Sequence, residues 1–70
     1  MMSTFSERLF ELIDSSELSL KEIAEQICVS ANMLERLMRG VSLPKARILT
    51  KICLFFHVSA DYLLGLRENK

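Results

Sequence analysis

A chain of 70 residues with nine Lys and Arg, nine Asp and Glu, and 50% hydrophobic residues has room for one small domain; a chain this short buries only about 60% of its unfolded surface. It contains no run of about 18 apolar residues, and residues 1–7 lack the basic-then-apolar order of a signal peptide, so the reading is cytoplasmic, with no membrane contact. Cys28 and Cys53 form no C-x-x-C pair, which predicts two buried thiols acting as small hydrophobes rather than a disulfide framework.

Gly40, Pro44 and Gly65 are the strong breakers, and apolar residues otherwise recur at helical spacing, which predicts an all-α chain. Helix 1 is expected over roughly residues 4–15, with Thr4 and Glu7 as a capping box and Phe5, Leu9, Leu12 and Ile13 as the buried stripe. Helix 2, roughly 20–27, has Ser19 and Glu22 as a second capping box, a Leu18–Ile23 staple, and Ile23, Ala24 and Ile27 facing inward. Helix 3, roughly 31–39, is capped by Ser30, stapled by Val29 and Leu34, anchored by Leu34 and Leu37 with help from Met38, and ended by Gly40.

Residues 40–44 form the longest loop, and Pro44 suits the first turn of helix 4, where its missing N–H is no loss. Helix 4, roughly 45–56, places Ile48, Leu49, Ile52, Phe55 and Phe56 on one face. The alternation of Ile48, Thr50 and Ile52 also fits a strand, but length and spacing favour helix. Helix 5, roughly 60–64, is capped by Ser59, stapled by Val58 and Leu63, and stopped by Gly65.

The charge is unevenly spread. Residues 1–30 hold six acids against two bases, Arg8 and Lys21; residues 31–70 hold seven bases against three acids, Glu35, Asp61 and Glu68. Such asymmetry fits nucleic-acid contact and equally fits two solvated faces. Half the chain is apolar in a domain with little interior, so part of that surface is expected to meet a second copy. No enzyme is indicated: there is one His, no glycine-rich phosphate loop and no base–nucleophile set. Cys28, Cys53 and His57 are too scattered for a zinc site, so no metal or cofactor is expected.

Residues 20–39 contain two short helices joined by a three-residue turn, with Ala24 small enough for close crossing and Ile23, Ile27, Val29, Leu34 and Leu37 filling the angle; that is the content of a helix-turn-helix. The run Leu18-Ser19-x-x-Glu22-Ile23-Ala24, the turn Val29-Ser30, Arg39-Gly40 followed by Pro44, and the tail Val58-Ser59-Ala60-Asp61-Tyr62-Leu63-Leu64-Gly65 together resemble the Cro/C1-type (XRE-family) helix-turn-helix repressors of bacteria and their phages. The resemblance covers about residues 5–66. It implies a compact five-helix, lambda-repressor-like DNA-binding domain whose third helix enters the major groove of double-stranded DNA. Four positions depart from the usual pattern: Leu20 replaces a Gln that supports a phosphate contact, Cys28 a left-handed Gly, Met38 a frequent Glu, and His57 a Gly or Asn that closes helix 4.

The resemblance implies that Ala31, Asn32 and Arg36 read bases, and that Lys21, Ser30, Arg39, Ser42 and Lys45 contact the DNA backbone. Asn suits adenine, Arg suits guanine, and Ala suits a thymine methyl. Glu35, next to Arg36, is expected either to hold it or to repel phosphate. The helix 2 N-terminus also offers N–H groups to a phosphate. Leu54, Leu64 and Leu66 are expected at a homodimer interface, since the family commonly pairs two copies through its C-terminal region. The function implied is a sequence-specific transcriptional regulator, a repressor in the family's usual mode. The alternative is a protein-interaction module that modulates a larger repressor, toward which zero net charge, Leu20 and Met38 lean.

Overall fold

The computed structural model describes residues 4–70. It contains five helices: α1 Thr4–Asp14, α2 Leu20–Gln26, α3 Ala31–Met38, α4 Ala46–Phe56 and α5 Ala60–Leu63. Each boundary falls within about two residues of the sequence reading. Thr4 is already helical, which corrects its expected role as the cap of α1.

Serine side chains start three of the helices. Ser19, Ser30 and Ser59 have extended backbones, and their hydroxyls accept from the N–H of Glu22, Met33 and Tyr62 at 3.1, 3.0 and 3.0 Å. At α2 the box closes: Ser19 N–H donates to Glu22 Oε1 at 2.9 Å. This bond from the Ser19 backbone holds the Glu22 carboxyl below its ordinary value. Such caps matter because helices of four to eight residues do not persist alone in water.

The helix ends repeat one device. After α2, Cys28 N–H donates to Glu25 O and Val29 N–H to Ala24 O; after α3, Gly40 N–H donates to Leu37 O and Val41 N–H to Arg36 O; after α5, Gly65 N–H donates to Tyr62 O and Leu66 N–H to Asp61 O. Each pair is the reversal that a left-handed residue permits. Gly40 has φ 78° and Cys28 has φ 58°. Cys28 therefore bears a side chain where glycine costs least, a penalty of about 1 kcal/mol. The turn also carries that side chain outward: Cys28 is exposed and Cys53 half-buried, which corrects the expectation of two buried thiols. Burial pushes the Cys53 thiol above its ordinary value. His57 closes α4 at φ 56°.

α3 packs against both α1 and α2, while α5 packs against α1 and α4. The core comprises Phe5, Leu9, Leu12 and Ile13 from α1, Ile23, Ala24 and Ile27 from α2 and its end, Leu34 and Leu37 from α3, Ile52 from α4, and Val58, Tyr62 and Leu63 around α5. Ser6 is buried with the α1 stripe. α4 departs from expectation. Ile52 alone is fully buried there, whereas Ile48, Leu49, Phe55 and Phe56 are half-buried at its flanks. Adjacent helical residues point about 100° apart, so Phe55 and Phe56 cannot both enter the core; their rings instead meet edge to face at 5.0 Å. Pro44 is corrected as well. The cap of α4 is Lys45, with φ −78° and ψ 160°, and Pro44 precedes it rather than opening the helix.

Arg8 ties the chain ends together. Its Nη1 donates to Tyr62 O and, at 2.7 Å, to Arg67 O. Its guanidinium lies 4.4 Å from the centroid of the Tyr62 ring, and Nη2 is 3.7 Å from the Glu68 carboxylate. The tail runs so close to α1 that a Cβ on Gly65 would meet Thr4 Cγ2 at 3.0 Å.

Two outcomes follow. Arg8→Ala lowers unfolding free energy by about 1–3 kcal/mol in urea denaturation, since two carbonyls lose a charged donor, and Arg8→Lys recovers only part, because an ammonium lacks the planar fork. Glu22 is held below the ordinary value of 4.5 by the Ser19 backbone N–H, so its contribution is complete above that pH and lost as pH falls through the lowered value. Glu22→Gln therefore flattens the stability-against-pH curve below pH 4.5; an unchanged acid limb would contradict the box.

Candidate nucleic-acid interface

Burial on α3 is one-sided. Leu34 and Leu37 are fully buried, Ala31, Met33 and Met38 are half-buried, and Asn32, Glu35, Arg36 and Arg39 are exposed. Asn32, Arg36 and Arg39 follow i, i+4, i+7 spacing and so form one outward stripe. Among the described residues, the side chains of Asn32 and Arg36 make no hydrogen bond or ion pair. Both keep their full donor capacity for an outside partner.

The other residues singled out by sequence lie before and after this stripe in the chain. Ser30 is the exposed cap of α3, its hydroxyl oxygen accepting from Met33 N–H. Ala31 offers only part of its surface, being half-buried. Ser42 is half-buried in the loop after α3, and Lys45 is exposed at the start of α4. Lys21 is exposed in the first turn of α2. The capping box there uses the N–H groups of Ser19 and Glu22, which leaves those of Leu20 and Lys21 for an anion. Leu20 itself packs against the core, which accounts for an apolar residue at that position.

The start of α4 breaks a local rule. Lys45 caps it with no side-chain hydrogen bond, no acid lies in its first turn, and exposed Arg47 adds a second cation. The positive end of a helix repels cations and attracts anions. Nothing in the helix start offsets this repulsion, and an anion would. Glu35 also pairs differently from the sequence reading: its Oε1 lies 3.5 Å from Arg39 Nη1. Neighbours on a helix do not face each other, whereas residues four apart do.

Leu54, Leu64 and Leu66 are 70, 47 and 74% exposed, so the core closes without them. Sequence reasoning did not anticipate an open groove of about 320 Å³ between the end of α2 and α4, lined by Gln26, Ile27, Cys28, Lys51, Leu54 and Phe55. No sequence pattern marks a groove whose walls are distant in the chain. Among the described residues, no group of three or more His, Cys, Asp and Glu is placed to hold a metal ion. Among the described residues, no helix is long and apolar enough to cross a membrane.

No curated protein matches the chain. The chain is similar in structure to the SOS-response transcriptional repressor LexA from Eubacterium rectale, with a TM-score of 0.84 and 28% identity over 87% of this chain. It spans 65% of that LexA chain, less than two thirds. It is similar also to the P22 c2 repressor protein in complex with synthetic operator 9T, with a TM-score of 0.84 over 90% of this chain and 96% of that one; at 19% identity this likeness shows the fold. A helix-turn-helix family model matches residues 9–63, from within α1 through α5. With most of its length matched and the five helices in the lambda-repressor-like arrangement, the chain belongs to the Cro/C1-type (XRE) helix-turn-helix family of DNA-binding transcriptional regulators.

Proposed function

We propose that the chain is a sequence-specific repressor that binds duplex DNA as a homodimer, with α3 in the major groove. The observation that carries this reading is the outward stripe of α3, whose Asn32 and Arg36 have no partner among the described residues. Asn32 suits the N6/N7 edge of adenine, Arg36 the O6/N7 edge of guanine, and the Ala31 methyl a thymine methyl. Arg39 at the end of the stripe, with Ser30, Ser42, Lys45 and Lys21, meets phosphates, fixing register without reading sequence. The unneutralised start of α4 favours such an anion. The printed names of both structural neighbours, a LexA repressor and an operator-bound c2 repressor, support the repressor role.

In the dimer, Leu54, Leu64 and Leu66 cover one another's apolar surface. Two α3 helices then sit about 34 Å apart, one turn of DNA, and the operator is a pseudo-palindrome. If the dimer neutralises about eight phosphates, log K falls with log salt at a slope near −7.

A second reading, a module that grips a partner protein and modulates a larger repressor, is favoured by one observation: the groove walled by Ile27, Leu54 and Phe55. Mobility shifts over random duplexes at low salt separate the two, since the module binds none of them.

Asn32→Ala and Arg36→Ala each cost about 1–3 kcal/mol on the selected duplex and relax preference at one position, while Lys45→Ala weakens all duplexes alike and lowers the salt slope by about one. Uniform losses in all of these variants would contradict base reading. Sedimentation velocity shows Leu54→Glu and Leu66→Glu as folded monomers with weakened palindrome binding; an unaltered dimer would remove these residues from the interface.

A further inference from the structure

Within the outward face of α3 lies one carboxylate. Glu35 is exposed and stands three residues from Asn32 and four from Arg39. Its Oε1 is 3.5 Å from Arg39 Nη1, and its second oxygen has no partner among the described residues. A bare carboxylate between two rows of phosphates is repelled. Arg39 offsets that charge, and it does so with one arm of its fork, leaving other N–H groups of the guanidinium for a phosphate.

The free oxygen of Glu35 is an acceptor that requires a donor. On the major-groove edge, the amino groups of cytosine and adenine are the available donors. Adenine carries its N7 acceptor beside the amine, which opposes a carboxylate; cytosine presents N4–H₂ with no acceptor of its own on that edge.

We propose that Glu35 is a specificity-determining residue that accepts a hydrogen bond from a cytosine N4 amine, and that Arg39 is its positioning residue, bridging Glu35 to a phosphate. This rests on the reading of α3 as the groove-bound helix. The Glu35–Arg39 pair is thus a polar unit that carries no net charge into the groove and prefers one base there.

Selection from randomised duplexes tests it, using wild type, Glu35→Ala, Glu35→Gln, Arg39→Gln and Asn32→Ala. Wild type enriches cytosine roughly ten- to hundredfold at one position of each half-site, the discrimination of one good side-chain–base contact. Glu35→Ala flattens that position alone, and Glu35→Gln moves it toward adenine, with which Gln pairs bidentately. Arg39→Gln weakens the cytosine preference without changing the preferred base. All of these positions are solvent-exposed, and matching thermal melts confirm that the variants are folded. If Asn32→Ala alters the base profile while Glu35→Ala leaves it unchanged at every position and tightens binding to all duplexes, Glu35 acts only as a repulsive tether and the assignment falls by itself. If wild type enriches no sequence, the groove-reading of α3 fails and this assignment with it.

Discussion

Leu34 and Leu37 hold α3 to the body. Both are fully buried, against α1 and α2, and they are the only fully buried side chains on a helix of eight residues. A helix held along one edge leaves its opposite face bare. Ala24, 2% exposed, lets α3 cross α2 closely, and the left-handed turn at Cys28 sets where α3 begins. Burying those two leucines is worth about 3–6 kcal/mol, a large share of the stability of a domain this small. That same burial fixes which face of α3 points outward.

Electrostatics then separates the ends of the molecule. A neutral chain has no net charge to draw DNA, so affinity depends on where charge sits. α1 and α2 carry acids in their first turns, Glu7 and Glu22, while α3 and α4 carry none. The positive ends of α3 and α4 are thus left open, and Lys45 and Arg47 reinforce the second. Arg8, the basic residue of α1, is spent within the fold on carbonyls of the tail. Exposed cations remain on α3, Arg36 and Arg39, and at the start of α4, Lys45 and Arg47.

Much of this was legible in the sequence, for local reasons. Serine followed three residues later by a helix interior is a short-range signal, and Ser19, Ser30 and Ser59 each cap as read. Gly40 and Gly65 gave away two helix ends through backbone freedom. Cys28 and His57, at positive φ without being glycine, emerged through family resemblance; nothing in a cysteine marks that backbone state, and a histidine is only enriched there. The Arg8 clamp was invisible because its acceptors are backbone carbonyls 54 and 59 residues away, and every residue has a carbonyl. α4 was over-read, because periodicity finds a face but not how deeply it is buried. Pro44 was misplaced by two positions, lying before the Lys45 cap, because proline suits both the first turn and the residues before it. In the outward stripe, Asn32 and Arg36 were singled out by the family resemblance, whereas the partner of Glu35 required choosing the residue four places on over the adjacent one.

The account stands on α3 being the element that meets DNA. Titrating the isotope-labelled chain with a selected operator duplex, and following backbone amide shifts by NMR, tests this most directly. The account predicts the largest shifts at the start of α3, around Asn32 and Arg36, and through the loop to Lys45. Shifts centred on Gln26, Lys51 and Leu54, with α3 unmoved, would contradict it.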